Sequence, residues 1–139
     1  MAHALIVLDA SAAMALVLAE GEGEEVAGLI RETMAVNGQI FVPGLFWYEL
    51  GNGLLAAERA DRMAPQTTSL AVSEFARFPV VTHQQADFAE TERILNLARD
   101  NRLTYNDASY LELALRFQAP LKSFDTHLVS LRGSFPLIL

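Results

Sequence analysis

Four carboxylates stand where apolar segments end or helices begin, and together they outline a cation site. Asp9 follows the run Ala4-Leu5-Ile6-Val7-Leu8, and Glu49 interrupts Leu45-Phe46-Trp47-Tyr48-Glu49-Leu50. Asp107 opens a segment that continues through Ala108, Leu111 and Leu115, and Asp125 follows Pro120-Leu121-Lys122-Ser123-Phe124. A carboxylate among such neighbours is costly unless a positive group or a hydrogen-bond network meets it. Lys122 is the only lysine in the chain, so a divalent cation is the natural countercharge. Mg²⁺ and Mn²⁺ are hard ions that prefer carboxylate and water oxygens, which is the donor set on offer. Each acid also has a purely structural reading: Asp9 and Asp125 as helix N-caps, Asp107 as a cap or a charge facing a helix dipole, Glu49 as a rim residue on a half-exposed helix.

Other polar and aromatic residues carry weaker signals. His3, His83 and His127 lack a metal-ligand spacing, although His127, two residues after Asp125, is close enough in sequence to reach a substrate. Arg59, Arg62, Arg99, Arg102 and Arg116 offer a path for a polyanion, yet helix arginines are commonly just solvated. Phe46, Trp47 and Tyr48 are capable of stacking on bases, but core or subunit packing is the simpler reading at that helical position. The acidic run Glu20 to Glu25 reads as a solvated loop.

Hydrophobic periodicity supplies the elements that must position these side chains. Ala4–Leu8 reads as a buried strand feeding a helix, and Val26, Leu29, Ile30, Thr33 and Met34 mark an amphipathic helix. After the Asn37-Gly38 turn come a strand at Ile40–Val42 and a helix from Pro43-Gly44 to about Ala60; Pro65 opens another that Pro79 stops after Phe78. Val80–Thr82 is a third strand, followed by a helix from about Gln84 to Arg99 with Phe88, Ile94, Leu95 and Ala98 inward. A helix from Tyr105 to Phe117, a fourth strand at Pro120–Phe124, a short helix at Thr126–Leu131 and a terminal strand at Pro136–Leu139 complete the chain. Strands separated by helices require crossovers, and crossovers require a mostly parallel sheet covered on both faces. The expected fold class is therefore α/β, a three-layer α/β/α sandwich, in which ligands bind at the carboxyl ends of the strands.

Composition narrows the classes further. The 139 residues, 52% hydrophobic and 19% charged, suit a single domain over 1–139 with enough apolar surface for a core. The absence of cysteine excludes disulfides, thiolate nucleophiles and iron–sulfur clusters. A net charge of -7 argues against coating nucleic acid through bulk charge, though not against a local basic groove. No apolar stretch approaches the ~20 residues of a membrane span, and the first residues lack the basic flank of a signal peptide, so a cytoplasmic protein is expected.

Four segments resemble the motifs of the PIN-domain ribonucleases, and more narrowly the VapC toxins of prokaryotic toxin–antitoxin pairs. They are Leu8-Asp9-Ala10-Ser11, Tyr48-Glu49-Leu50-Gly51-Asn52-Gly53-Leu54, Asn106-Asp107-Ala108-Ser109-Tyr110-Leu111-Glu112-Leu113-Ala114 and Ser123-Phe124-Asp125-Thr126-His127-Leu128. The match runs in order along nearly the whole chain. It implies that Asp9, Glu49, Asp107 and Asp125 are the catalytic acids, with Asp9, Asp107 and Asp125 as metal ligands, direct or through water, and Ser123 as the small hydroxyl residue common in that place. Asn106 departs from the tyrosine usual before the third acid; Tyr105 lies one place earlier. The resemblance further implies Mg²⁺- or Mn²⁺-dependent endonucleolytic cleavage of RNA, a homodimer and a small antitoxin whose tail covers the site. Competing expectations are a noncatalytic PIN-like binding module, which the intact acids oppose, and a metal-dependent DNA nuclease or phosphatase on a related scaffold.

Overall fold

A computed structural model of the chain describes residues 2–19, 21–84 and 87–139. Its elements run β1 (Leu5–Leu8), α1 (Ala10–Leu18), α2 (Gly23–Ala35), β2 (Gln39–Pro43), α3 (Leu45–Arg59), α4 (Pro65–Phe75), β3 (Val80–His83), α5 (Phe88–Asn101), α6 (Tyr105–Phe117), β4 (Leu121–Lys122) and α7 (Thr126–Val129). The four strands form one parallel sheet in the order β3-β2-β1-β4, and with the helices they make the three-layer α/β/α sandwich. β1 is central, so its Ile6, Val7 and Leu8 are buried on both faces, as expected of an uninterrupted apolar strand in a parallel sheet. From β1 the chain winds to β2 and β3, then returns to place β4 on the other side of β1. The order therefore reverses between β1 and β4, the position where open parallel sheets leave a crevice at their carboxyl ends.

Helix α6 lies against β1, β2 and β4, and all of Ala108–Ala114 is buried. It is the element that carries Asp107 at its first turn into the middle of the molecule. Helix α3 packs on α1, and the Met14 side chain lies over Gly53, where a Cβ would come within 2.9 Å of its sulfur.

Some boundaries differ from expectation. Helix α5 begins at Phe88, capped by Asp87, which accepts from the Glu90 backbone amide at 2.8 Å; the cap excludes Gln84 from the helix, while Gln85 and Ala86 lie outside the described residues. Phe88, expected inward, is 77% exposed because it is the first residue past that cap. Helix α4 ends at Phe75, before Pro79 has any effect, and β4 is reduced to two residues. The terminal strand amounts to a single parallel bridge between Leu121 and Ile138. Within the supposed acidic loop, Glu24 and Glu25 form the first turn of α2, and the Glu25 carboxylate meets the buried Lys122 ammonium at 2.6 Å; Glu20 lies outside the described residues.

Candidate metal centre

Asp9 leaves β1 and enters the crevice beside β4. Its Oδ1 accepts from the Ser11 hydroxyl at 2.6 Å and the Ala12 backbone amide at 3.0 Å, while its Oδ2 accepts from the Ser123 hydroxyl. Asp9 is thus the N-cap of α1, and it also lies close enough to Asp125 to feel its charge. Oδ2 retains a lone pair for a cation or its water. The serines are themselves pinned: Ser11 Oγ accepts from the Phe124 amide at 2.8 Å, and Ser123 Oγ from the Asp125 amide at 2.9 Å. This cross-lacing ties the loop after β4 to the loop after β1 and fixes Asp125 relative to Asp9.

Asp125 caps α7 through the His127 and Leu128 amides, and Thr104 caps α6 by accepting from the Asp107 amide at 3.1 Å, with its hydroxyl also close enough to stabilise the Asp107 carboxylate. Asp107, Asp125 and His127 each present a donor atom within 4.8 Å of the other two. Sequence reasoning treated His127 only as a residue able to reach substrate; its i+2 spacing from Asp125, around a one-turn helix start, was the available signal for a closer role. Glu49 projects from α3 and accepts a 2.6 Å hydrogen bond from the Tyr110 hydroxyl of α6. That bond, with burial, holds the Tyr110 phenol protonated well above its usual range.

Electrostatics show that the four acids share one environment. Burial raises the Asp9 carboxyl above the ordinary carboxylate range, opposed by its hydrogen bonds and reinforced by the charge on Asp125. Burial also raises Glu49; the Tyr110 hydroxyl pulls it back, and Asp107, Asp9 and Asp125 push it higher. Asp107 is raised by burial and then by Asp125, against the lowering influence of Thr104 and His127. Among the described residues no lysine or arginine forms an ion pair with any of the four. Carboxylate oxygens, one adjacent imidazole and unmatched negative charge fit a hard divalent cation such as Mg²⁺ or Mn²⁺, with Asp107, Asp125 and His127 able to share one ion and Asp9 held by its serines.

The raised values have a measurable consequence without metal. A carboxyl whose folded pKa exceeds its unfolded value, about 4, contributes stability that is full below the unfolded value and is lost as pH rises through the folded one. Lowering the pH of the chelator-treated protein from 7 to 5 should therefore favour folding through Asp9, Glu49 and Asp107. His83 runs the other way, since burial and Arg116 hold its pKa down. The diagnostic quantity is thus a difference: the change in Tm on acidification should be more positive in the wild type than in Glu49→Gln. Equal changes in the two proteins would show that Glu49 does not titrate as described.

Comparison with known proteins agrees with this architecture. No curated protein matches the chain. Among solved structures, the crystal structure of PAE2754 from Pyrobaculum aerophilum is similar in fold, with a TM-score of 0.67 and 23% sequence identity, covering 93% of this chain and 81% of that one. The PIN domain family profile matches residues 6–133. A match over nearly the full length, on a fold with four acids gathered at the strand-order reversal, establishes that the chain belongs to the PIN domain family.

Proposed function

We propose that the protein is a metal-dependent endoribonuclease that acts as the toxin of a toxin–antitoxin pair. One observation carries this reading: acids from four separated segments converge at the carboxyl ends of β1 and β4, burial and neighbouring acid charge raise Asp9, Glu49 and Asp107, and among the described residues no lysine or arginine forms an ion pair with any of the four. A divalent cation bound there supplies a water of lowered pKa and offsets charge that grows on a phosphate during attack. The residues then divide the work. Asp107, Asp125 and Asp9 would hold the cation, directly or through water. Glu49, half-buried and fixed by the Tyr110 hydroxyl, has its carboxyl raised above the ordinary range by burial and would take the proton of the attacking water on its free oxygen.

The toxin assignment is supported by the four motifs and by surface character. Leu55 of α3 and Val72 of α4 are exposed and line one groove between the two helices, an apolar surface of the kind that a second copy of the chain or a small antitoxin covers. A basic antitoxin tail is complementary to the acidic crevice and to the chain's net charge of -7. No helix among the described residues is long and apolar enough to cross a membrane; we place the activity in the cytoplasm, with RNA.

The test is incubation of purified protein with a panel of cellular RNAs and with single- and double-stranded DNA, with and without Mg²⁺ or Mn²⁺. Metal-dependent internal cuts in RNA are expected, abolished by Asp9→Asn. Cleavage of DNA alone would replace this reading with a DNA nuclease. Co-expressing the product of a small neighbouring reading frame should rescue growth and lose that effect when its basic tail is deleted; rescue that survives deletion would place inhibition on another surface.

A further inference from the structure

A cavity of about 260 Å³ opens between the first turns of α3 and α6, the two helices that carry Glu49 and Asp107, and the end of β3. Tyr48 and Asn106 line it, and each is the immediate neighbour in sequence of an acid, Glu49 and Asp107. Tyr48 is 79% exposed, an aromatic ring left in solvent at the mouth of a concave site. Tyr105, half-buried, contributes a second ring.

The chemistry of the wall narrows what fits. Glu90 lies in it and is buried, but its carboxylate is met by the Arg116 guanidinium at 2.6 Å, and Arg116 also pairs with Glu112 at 3.2 Å, which Arg93 joins at 3.3 Å. Both carboxylates of the wall are thus committed to guanidiniums, Arg116 within the wall and Arg93 outside it, so the cavity offers neither a free positive group for a phosphate nor a free carboxylate for a second cation. The wall also contains the His83 Nε2, a buried atom that has no hydrogen-bond partner among the described residues, a bonding capacity the fold itself leaves unused. Without a free charged group, flat-sided, edged with polar groups and smaller than the roughly 300–1,000 Å³ of drug-sized ligand sites, the cavity matches a single heterocycle. Proteins that read single-stranded RNA take splayed bases in this manner, stacking them on aromatic rings and bonding their edges.

We propose that this cavity is the subsite for one unpaired nucleobase next to the scissile phosphate, stacked on Tyr48 and read along its edge by Asn106. The proposal rests on the endoribonuclease reading for its substrate, while the cavity itself is independent of metal. Because the acids act on the phosphodiester, which is the same at every position, the adjoining cavity is where sequence preference enters. Tyr48 and Asn106 are in this sense specificity residues, and the acids are not.

Cleavage of an RNA library randomised around one cut site measures the preference, and saturation-transfer NMR with the four nucleoside 5′-monophosphates measures base binding without any cleavage. The wild type should prefer a base at one position flanking the cut. Tyr48→Ala should lower kcat/KM for the preferred sequence tenfold or more, Tyr48→Phe should restore it, and Asn106→Ala should flatten the preference among bases. Saturation transfer to base protons should depend on Tyr48, while the Mn²⁺-induced rise in Tm should be the same in Tyr48→Ala as in the wild type. If RNA is cut with a preference that survives Tyr48→Ala and Asn106→Ala, the subsite is wrong and the nuclease reading stands. If no RNA is cut but saturation transfer to a base requires Tyr48, the subsite stands and the nuclease reading falls. Absence of both overturns both.

Discussion

Asp9→Asn should lower RNA cleavage by at least about 100-fold, the upper end of what loss of an orienting partner alone costs a metal site. Its carboxylate is the hub of the crevice, receiving Ser11, Ser123 and the Ala12 amide, and no neighbouring acid can take its place without breaking that lacing. Asp107→Asn and Glu49→Gln should have effects of similar size. Residues that hold one ionic assembly fail together, so double variants should be little worse than singles. Ser123→Ala probes the lacing itself. It removes the donor to Asp9 Oδ2 and the acceptor for the Asp125 amide, and should cost about 10- to 100-fold while every acid remains. Steady-state kinetics on one RNA substrate checks the series. Near wild-type cleavage by any of the acid variants would remove that acid from the centre.

The second large effect is on stability. Without metal, carboxyls raised by burial and by neighbouring charge, as Asp9, Glu49 and Asp107 are, cost folding free energy, and a cation that binds only the folded state adds RT ln(1 + [L]/Kd), about 2.7 kcal/mol at a hundredfold excess over Kd. At roughly 2–8 °C per kcal/mol for domains of this general size, Mn²⁺ should raise Tm by on the order of 10 °C. Asp107→Asn should raise Tm in chelator, by relieving repulsion with Asp125 and desolvation of its own charge, and should blunt the response to Mn²⁺. Thr104 already caps α6, so the substitution removes no cap. A wild-type melting curve indifferent to Mn²⁺, together with a destabilised Asp107→Asn in chelator, would mark Asp107 as a structural residue.

The acids were legible in the sequence because each sits at a change of pattern. An apolar run that stops at a carboxylate, as Leu8 does at Asp9, records both the strand and the crevice at its end. The partners of those acids were not legible. Ser123 reaches Asp9 across 114 positions, and the Tyr110 hydroxyl reaches Glu49 across 61; no local pattern encodes such pairs. Ser123 stood out only through its motif, and Tyr110 read simply as part of a helix. Arg116 illustrates the opposite error: an arginine on a helix reads as solvated or as a polyanion contact, yet it is committed to Glu90 and Glu112. Helix ends were obscured for a local reason. Ala19, Arg102 and Gln118 adopt φ values of 53°, 54° and 51° at the ends of α1, α5 and α6, doing what glycine does most easily, so the usual stop signal is missing. α4 gives way short of its proline to tighter i→i−3 bonds, from the Arg77 amide to Glu74 and from the Phe78 amide to Phe75, a last-turn tightening that propensity does not place.

The ion pair between Lys122 and Glu25 has a consequence for how the protein can be handled and altered. Lys122 is the only lysine in the chain, and its side chain is 4% exposed, sealed under Glu25 and over the Phe124 ring. The folded protein therefore offers no lysine amine to acylating enzymes, to tagging systems that build on lysine, or to amine-directed cross-linkers and surface-coupling reagents. Reaction at that position would report unfolding, which makes lysine acylation a chemical clock for opening of the β4 edge.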